Sequence, residues 1–436
     1  MQHKRNLRSL IAALLLSTSV VAACGGGDGG PSGSTVDKPT AISSFGANVV
    51  DQWNKLGADT ILQPAASSGT PEERMPVHDL DMATLNIAMY DALAAITGTY
   101  QPFMATITQD AALSSMSPEL AVHGAAYTVL STLFPARSVT YKAFYDAAVA
   151  GADAGGMASA QFGSGVARQV LALRSNDGRW TPLAAYVPGS APGEFRGTNP
   201  VNRARPSVRP FFLRSADQFR PSGPPALASA EYTADLLETK SMGTAASSPR
   251  TEGQTENARF HTEPPPLFWT RNFRQFATSR PTLVDNARLM AMLWATQADA
   301  TTACFEAKYH FNFWRPTSAI RLADTDGNPA TEPDAQWAPI VPTPNHPEYP
   351  AAHACLAGAF AAVLERAFGT KQITFSLTST VTGSTHTFNS TEEMVRSIQD
   401  ARVDGGMHFR TSTQHGASLG QSVTQAANGR FLAINP

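Results

Sequence analysis

The chain has 436 residues, 42% of them hydrophobic and 16% charged, a balance that supports a sizeable core and excludes a disordered polypeptide. Its formal net charge is −2 and no long basic run occurs, which argues against a nucleic-acid partner. Alanine is plentiful and strand-like alternation is scarce, so an all-α chain is expected.

Residues 1–23 read as an export signal: Lys4, Arg5 and Arg8 precede an apolar run from Leu10 that is too short to span a bilayer. Val21-Ala22-Ala23-Cys24 looks like a bacterial lipobox, with Cys24 the lipidated residue and membrane anchor. Residues 24–45 begin with a glycine-rich stretch that suits a flexible tether. The expected location is therefore the bacterial cell envelope, with the chain lipid-anchored. Cleavage removes three cations and no acid, so the mature chain is mildly acidic.

Along the rest, helical spacing of apolar residues predicts helices over 47–55, 79–96, 111–133, 139–150 and 155–174. Asn176-Asp177-Gly178 is a turn signal. Residues 180–225 are dense in proline and glycine and read as a long surface-wrapping loop. A boundary is placed there, dividing an N-terminal helical region with its loop (46–225) from a catalytic helical bundle (226–436). Helices resume over 229–237 and 251–260, are broken at Pro264-Pro265-Pro266, and continue over 283–294 and 299–313. Residues 372–388 alternate apolar and polar and turn at Thr382-Gly383-Ser384, the pattern of a small β-hairpin. Ser390-Thr-Glu-Glu393 matches a capping box that opens the next helix, and 413–432 forms the last.

Three stretches of the last third concentrate the chemistry. They are Lys308-Tyr-His-Phe-Asn-Phe-Trp-Arg315-Pro316, Tyr349-Pro-Ala351-Ala352-His353, and Arg402-Val-Asp-Gly-Gly-Met-His408. One lysine, two arginines and two histidines suit a tetrahedral oxyanion. Arginine offers paired planar donors, lysine a compact charge, and histidine both nucleophilicity and proton transfer near neutrality. Lys308 and Arg315 are seven apart, so a continuous helix carries both on one side, and the intervening aromatics argue for burial. Glu306 is the closest carboxylate in that segment, so an external anion is expected to balance them. His353 opens an apolar helix, where backbone N–H groups favour anions. His310, His346, His386 and His415 read as structural or exposed. Cys304 and Cys355 are the remaining cysteines; an oxidising compartment makes a bridge between them possible, two buried free thiols being the alternative.

The order K-x6-R-P, P-x-x-H, R-x5-H resembles the signature shared by vanadium-dependent haloperoxidases and type 2 phosphatidic acid phosphatases, including bacterial acid phosphatases. The resemblance covers residues 79–430. It includes Met89-Tyr-Asp-Ala92 and Arg174-Ser-Asn-Asp-Gly178, familiar from the bacterial haloperoxidase-like branch. It implies an all-helical fold of packed bundles with the oxyanion pocket at one bundle's core. It further implies that Lys308, Arg315, Arg402 and the Ala352 N–H bind the oxygens of vanadate or phosphate. His408 is then the axial vanadate ligand, or the phosphorylated nucleophile of a phosphatase, and His353 the acid–base residue. Ala351 and Ala352 stand where the signature usually has serine and glycine, and Ala401 where it usually has serine.

The resemblance and the chain's length favour a vanadate-dependent haloperoxidase-like oxidoreductase, taking hydrogen peroxide with a halide or small organic substrate. An acid phosphatase cleaving phosphate esters, and needing no cofactor, is the alternative. A non-catalytic oxyanion-binding lipoprotein is the third.

Overall fold

The computed structural model describes residues 39–62 and 78–431. The export signal, Cys24, most of the tether and residues 63–77 lie outside them.

The first described residues are not tether throughout: strand β1 (Thr40–Ala41) pairs in parallel with β2 (Ile373–Thr378), far along the chain. Helix α1 (Val49–Ile61) starts where Asn48 accepts hydrogen bonds from the Val50 and Asp51 N–H groups. Helix α2 (His78–Thr97) is buried along nearly its whole length. A 3-10 turn at Ala111–Ser115 and the Ser117 N-cap divide 111–133 at Ser117-Pro118, leaving α3 (Pro118–Leu133). Helices α4 (Ser138–Val149) and α5 (Ala154–Arg174) complete the N-terminal part.

Residues 180–225 are irregular apart from one short 3-10 turn, as the proline density implied. They are held by buried carboxylates rather than by a ladder. Asp299 accepts the N–H groups of Phe211, Phe212 and Leu213. Asp91, in the Met-Tyr-Asp-Ala stretch, does the same for Phe103, Met104 and Ala105. Each replaces a missing secondary-structure partner for a buried backbone segment.

Short helices α6 (Ala230–Met242), α7 (Glu252–Phe260) and α8 (Pro265–Asn272) lead to α9 (Leu283–Phe311), one continuous 29-residue helix rather than two. Helix α10 (Pro316–Arg321) follows, then α11 (Ala352–Phe368), α12 (Thr391–Asp404) and α13 (Arg410–Ala426). Strand β2 pairs antiparallel with β3 (Thr385–Phe388) as the expected hairpin, and β1 makes it a three-stranded sheet. At α12 the capping box is displaced by one position: Ser390 caps the Glu393 N–H, but the Glu393 carboxylate accepts from Asn389.

Helix α11 packs against α13, α9 and α12, while α2 lies along α9 and against α3 and α5. One hydrophobic core runs through both groups, from Trp53 and Met89 to Trp294 and Phe360. The expected boundary at 225/226 therefore falls in a loop, but α9 is shared by the two sides.

Candidate functional site

Helix α9 ends at Asn312, whose left-handed backbone (φ 47°) closes the helix as its N–H bonds the Lys308 carbonyl. Lys308 and Arg315 are therefore not on one helix face. The chain reverses between them, and Arg315 sits at the N-terminal edge of α10. Both side chains still converge, because the loop 346–348 runs beneath them. Lys308 Nζ donates to the carbonyls of Pro347 (2.9 Å) and Glu348 (2.8 Å). Arg315 Nε donates to the carbonyl of His346 (2.7 Å), and Nη1 to that of Met407 (2.9 Å).

The third stretch arrives through a tight turn after α12. The N–H groups of Met407 and His408 both bond the Arg402 carbonyl. Gly406 has φ of 73°, and a Cβ there would lie 2.7 Å from the Gly243 carbonyl oxygen, so this turn admits only glycine. Arg402 points into the same region: Nη1 donates to the His261 carbonyl (2.7 Å) and Nη2 contacts the Met407 sulfur (2.8 Å).

His408 is oriented by Glu348. Arg315 Nη1 lies 3.1 Å from His408 Nε2, and guanidinium is only a donor, so Nε2 carries a lone pair. The Nδ1 proton then faces Glu348 Oε1 at 2.8 Å, which also accepts the Phe409 N–H. Glu348 was not expected from the sequence. It corrects the view that Glu306 is the nearest acid: Glu306 pairs with Arg220, and Glu348 is the buried carboxylate beside Lys308 and Arg315. His346, read as bland, is also in the site, 2.9 Å from Arg315 Nη2. His261 is a second addition, through its carbonyl on Arg402. His386 is outside the cluster, paired with Glu256, and His415 accepts or donates at the Tyr349 hydroxyl. His310 is exposed.

His353 lies in the first turn of α11, beside Ala352, and the cis Tyr349–Pro350 bond precedes it. Ala351 is the N-cap residue and offers no side-chain cap. Ala352 is already helical, with no positive φ, so alanine fits where the signature has glycine.

Lys308, Arg315, Arg402 and His408 are each at most 2% exposed. Burial pushes Lys308, Arg315 and Arg402 all below their ordinary values, with Arg315 adding repulsion on the other two. Burial, then the neighbouring cations, also keeps His408 and His353 neutral. Burial raises Glu348 against the pull of Lys308 and Arg315. Three cations thus face one carboxylate. His353 Nε2 and Arg402 Nε are buried with no hydrogen-bond partner among the described residues. A cavity of about 450 Å³ meets His353, Arg402, Met407, Ala352, His346 and Cys304. An oxyanion such as vanadate or phosphate fits this donor set, supplying the missing negative charge and an acceptor for the orphaned Arg402 N–H.

The possible bridge between Cys304 and Cys355 is not formed. Both thiols are free and buried, and the Cys355 S–H donates to Cys304 Sγ at 2.7 Å.

Comparison with known proteins gives concordant results. Residues 288–434, which contain all three stretches, match the VCPO second helical-bundle domain. The chain is 26% identical to vanadium chloroperoxidase of Curvularia inaequalis, over 76% of this chain and 67% of that protein. A bacterial vanadium-dependent iodoperoxidase superposes with a TM-score of 0.72 at 20% identity, covering 90% of this chain and all of that one. The holo-type bacterial vanadium-dependent chloroperoxidase gives a TM-score of 0.69 at 15% identity, over 91% and 98% of the two chains. The mostly helical architecture with its small sheet is that of the vanadium haloperoxidases.

Proposed function

We propose that this protein is a vanadate-dependent haloperoxidase-like enzyme that oxidises halide with hydrogen peroxide. The observation that carries the reading is the excess of buried positive charge around His408 Nε2, a lone pair aimed by Glu348 into a cluster of three cations. The vanadium enzymes with which the chain shares its fold support it.

Lys308, Arg315, Arg402 and the Ala352 N–H would hold the oxygens of vanadate, and His408 Nε2 would be its protein ligand. When bound, vanadate supplies the activation of peroxide towards halide. The residues do the remainder. The cations neutralise the oxyanion from fixed positions, in a site where water competes poorly. Glu348 keeps the His408 proton on Nδ1, so Nε2, which here accepts from Arg315, would be the unprotonated nitrogen available to the ligand bond. His353, neutral and half-buried, would take a proton at Nε2 and return it to a leaving oxygen. Export and lipidation at Cys24 would place the enzyme in the cell envelope, where peroxide and halide reach it from outside.

The deciding experiment is bromide oxidation by peroxide with and without added orthovanadate, beside phosphate-ester hydrolysis by the same preparation. Vanadate-dependent oxidation that disappears in His408→Ala supports the reading. Hydrolysis that vanadate inhibits would instead make the chain a phosphatase working through phospho-His408. Neither activity, with vanadate still bound, would leave an oxyanion-binding protein.

A further inference from the structure

Cys304 and Cys355 have no part in the chemistry above, yet the fold sets them beside Lys308 and His353. Cys304 lies one helical turn before Lys308 on α9, and Cys355 lies two residues after His353 on α11. Both are fully buried, and their sulfurs are in contact at 2.7 Å although 51 residues separate them. Cys304 also forms part of the wall of the cavity shared with His353 and Arg402. The two thiols are not equivalent. Cys355 donates its S–H to Cys304, whose own S–H faces the Pro350 carbonyl at 3.8 Å. Burial opposes ionisation of Cys304, but the hydrogen bond from Cys355 and the Lys308 charge outweigh it and hold it below its ordinary value. Burial and Cys304 together push Cys355 up. A nucleophilic thiol beside a cation, with a protonated thiol in contact, is the arrangement of an attacking and a resolving cysteine.

We propose that Cys304 and Cys355 are a peroxide-oxidised modification site, forming a disulfide that ties the Lys308 turn of α9 to the His353 turn of α11. The Cys304 thiolate attacks one peroxide oxygen and the O–O bond breaks. Hydroxide leaves, is protonated to water, and Cys304 becomes a sulfenic acid. The Cys355 sulfur then attacks the Cys304 sulfur, the S–O bond breaks, and a second water departs with the Cys355 proton. Two thiols lose two electrons in all, and one hydrogen peroxide is reduced to two waters. The bridge covalently fixes the Lys308 stretch against the His353 stretch. The inference rests on the haloperoxidase reading only for peroxide as the physiological oxidant.

The test uses the full chain, reduced and held under anaerobic conditions, then given one equivalent of hydrogen peroxide. Digestion and mass spectrometry follow Cys304 and Cys355 separately from Cys24. The expected result is a Cys304–Cys355 cross-linked peptide after peroxide and none before it. In Cys355→Ser, dimedone should label Cys304 as a trapped sulfenic acid; in Cys304→Ser, Cys355 should stay unlabelled. The bridged wild-type chain should also unfold at a higher temperature than the reduced one. Two free, alkylatable thiols after excess peroxide would overturn the proposal. So would a bridge that forms equally fast with air and no peroxide, or dimedone labelling of Cys355 in Cys304→Ser. Bromide oxidation measured alongside separates the two ideas, since a bridge without vanadate-dependent turnover defeats the enzymatic reading and leaves this one standing.

Discussion

Two regions of the molecule draw arginines inside and treat them in opposite ways. At the end of α5, Arg174 and Arg179 share Asp177 at 2.9 and 2.8 Å, and Arg179 also reaches Asp81 of α2 at 2.5 Å. Burial alone would lower Arg179, but Asp81 and Asp177 outweigh it and hold the guanidinium above its ordinary value. Gly178 closes this turn with φ of 89°, because a Cβ would lie 2.0 Å from the Ser207 carbonyl oxygen. At the α9–α11–α12 site, burial pushes Arg402 down, Arg315 pushes it further, and no carboxylate answers. A charge that serves the fold carries its partner with it. A charge left without one inside a protein is held there for something that binds.

The sharpest way to break this contrast is to delete one arginine from each region. Arg402→Ala is expected to lower oxyanion-dependent activity by about 100- to 1000-fold, the usual cost of losing one stabilising donor. Its unfolding midpoint in oxyanion-free buffer should not fall, since an uncompensated buried cation is removed. Arg179→Ala should do the reverse: it strands Asp81 and leaves Asp177 with Arg174 alone, and urea denaturation should show a loss of about 3–5 kcal/mol. If Arg402→Ala is instead the destabilising change, the cluster is structural and the anion-site reading fails.

Glu348 sharpens the comparison from inside the site, because it is the carboxylate that faces His408. Glu348→Gln keeps the shape but removes the charge that fixes the His408 tautomer. Vanadate affinity is expected to drop about 10- to 100-fold, the range for such supporting groups. The nitrogen NMR shifts of His408 should move with it, reporting a mixed tautomer. Unchanged shifts would mean that Arg315 alone orients the ring.

Most of this was visible in the sequence at the level of elements, and least visible where distant segments meet. The 3.6-residue periodicity of α2, α5 and α9 needs no tertiary knowledge, and the five charged or imidazole residues stand in a recognisable order. The Lys308–Arg315 geometry was misread because one left-handed residue, Asn312, ends the helix between them. Glu348 carries no local signal, since its role exists only once the 346–348 loop passes under Lys308. His346 was lost for the same reason. Strand β1 is two residues long and pairs with a partner more than 300 positions away, beyond the reach of any alternation pattern.

A pH profile tests the electrostatic side of the contrast. In the resting site, burial and then Arg402 hold His353 well below its ordinary value, so it is neutral at pH 7. Protonation occurs only as pH falls through that lowered pKa, and proton acceptance is lost below it. The apparent kcat/KM for peroxide reports the free enzyme. Measured in Glu348→Gln, which removes the carboxyl that burial raises to about 7, it should therefore stay level from pH 7.5 to 6.5 and decline only in more acid solution, about tenfold per pH unit well below the midpoint. An acid limb centred at or above 6.5 would mean that His353 is compensated by a carboxylate, as Arg179 is.

The smallest effect probes the boundary between the two kinds of region. Ala351 begins α11 without a side-chain cap, next to the cavity and fully buried. In Ala351→Ser the new hydroxyl has two possible uses. Turned to the α11 N–H groups it acts as a cap and should raise stability by about 1 kcal/mol, with activity unchanged. Turned to the oxyanion it adds a donor, so activity and vanadate affinity should rise while the unfolding midpoint in vanadate-free buffer stays put. The second outcome is expected, because the helix start adjoins the cavity in which the three cations would hold an anion. A gain in stability alone would show that the first turn of α11 belongs with the self-satisfied structural regions, and that alanine here costs the chain a cap rather than a catalytic donor.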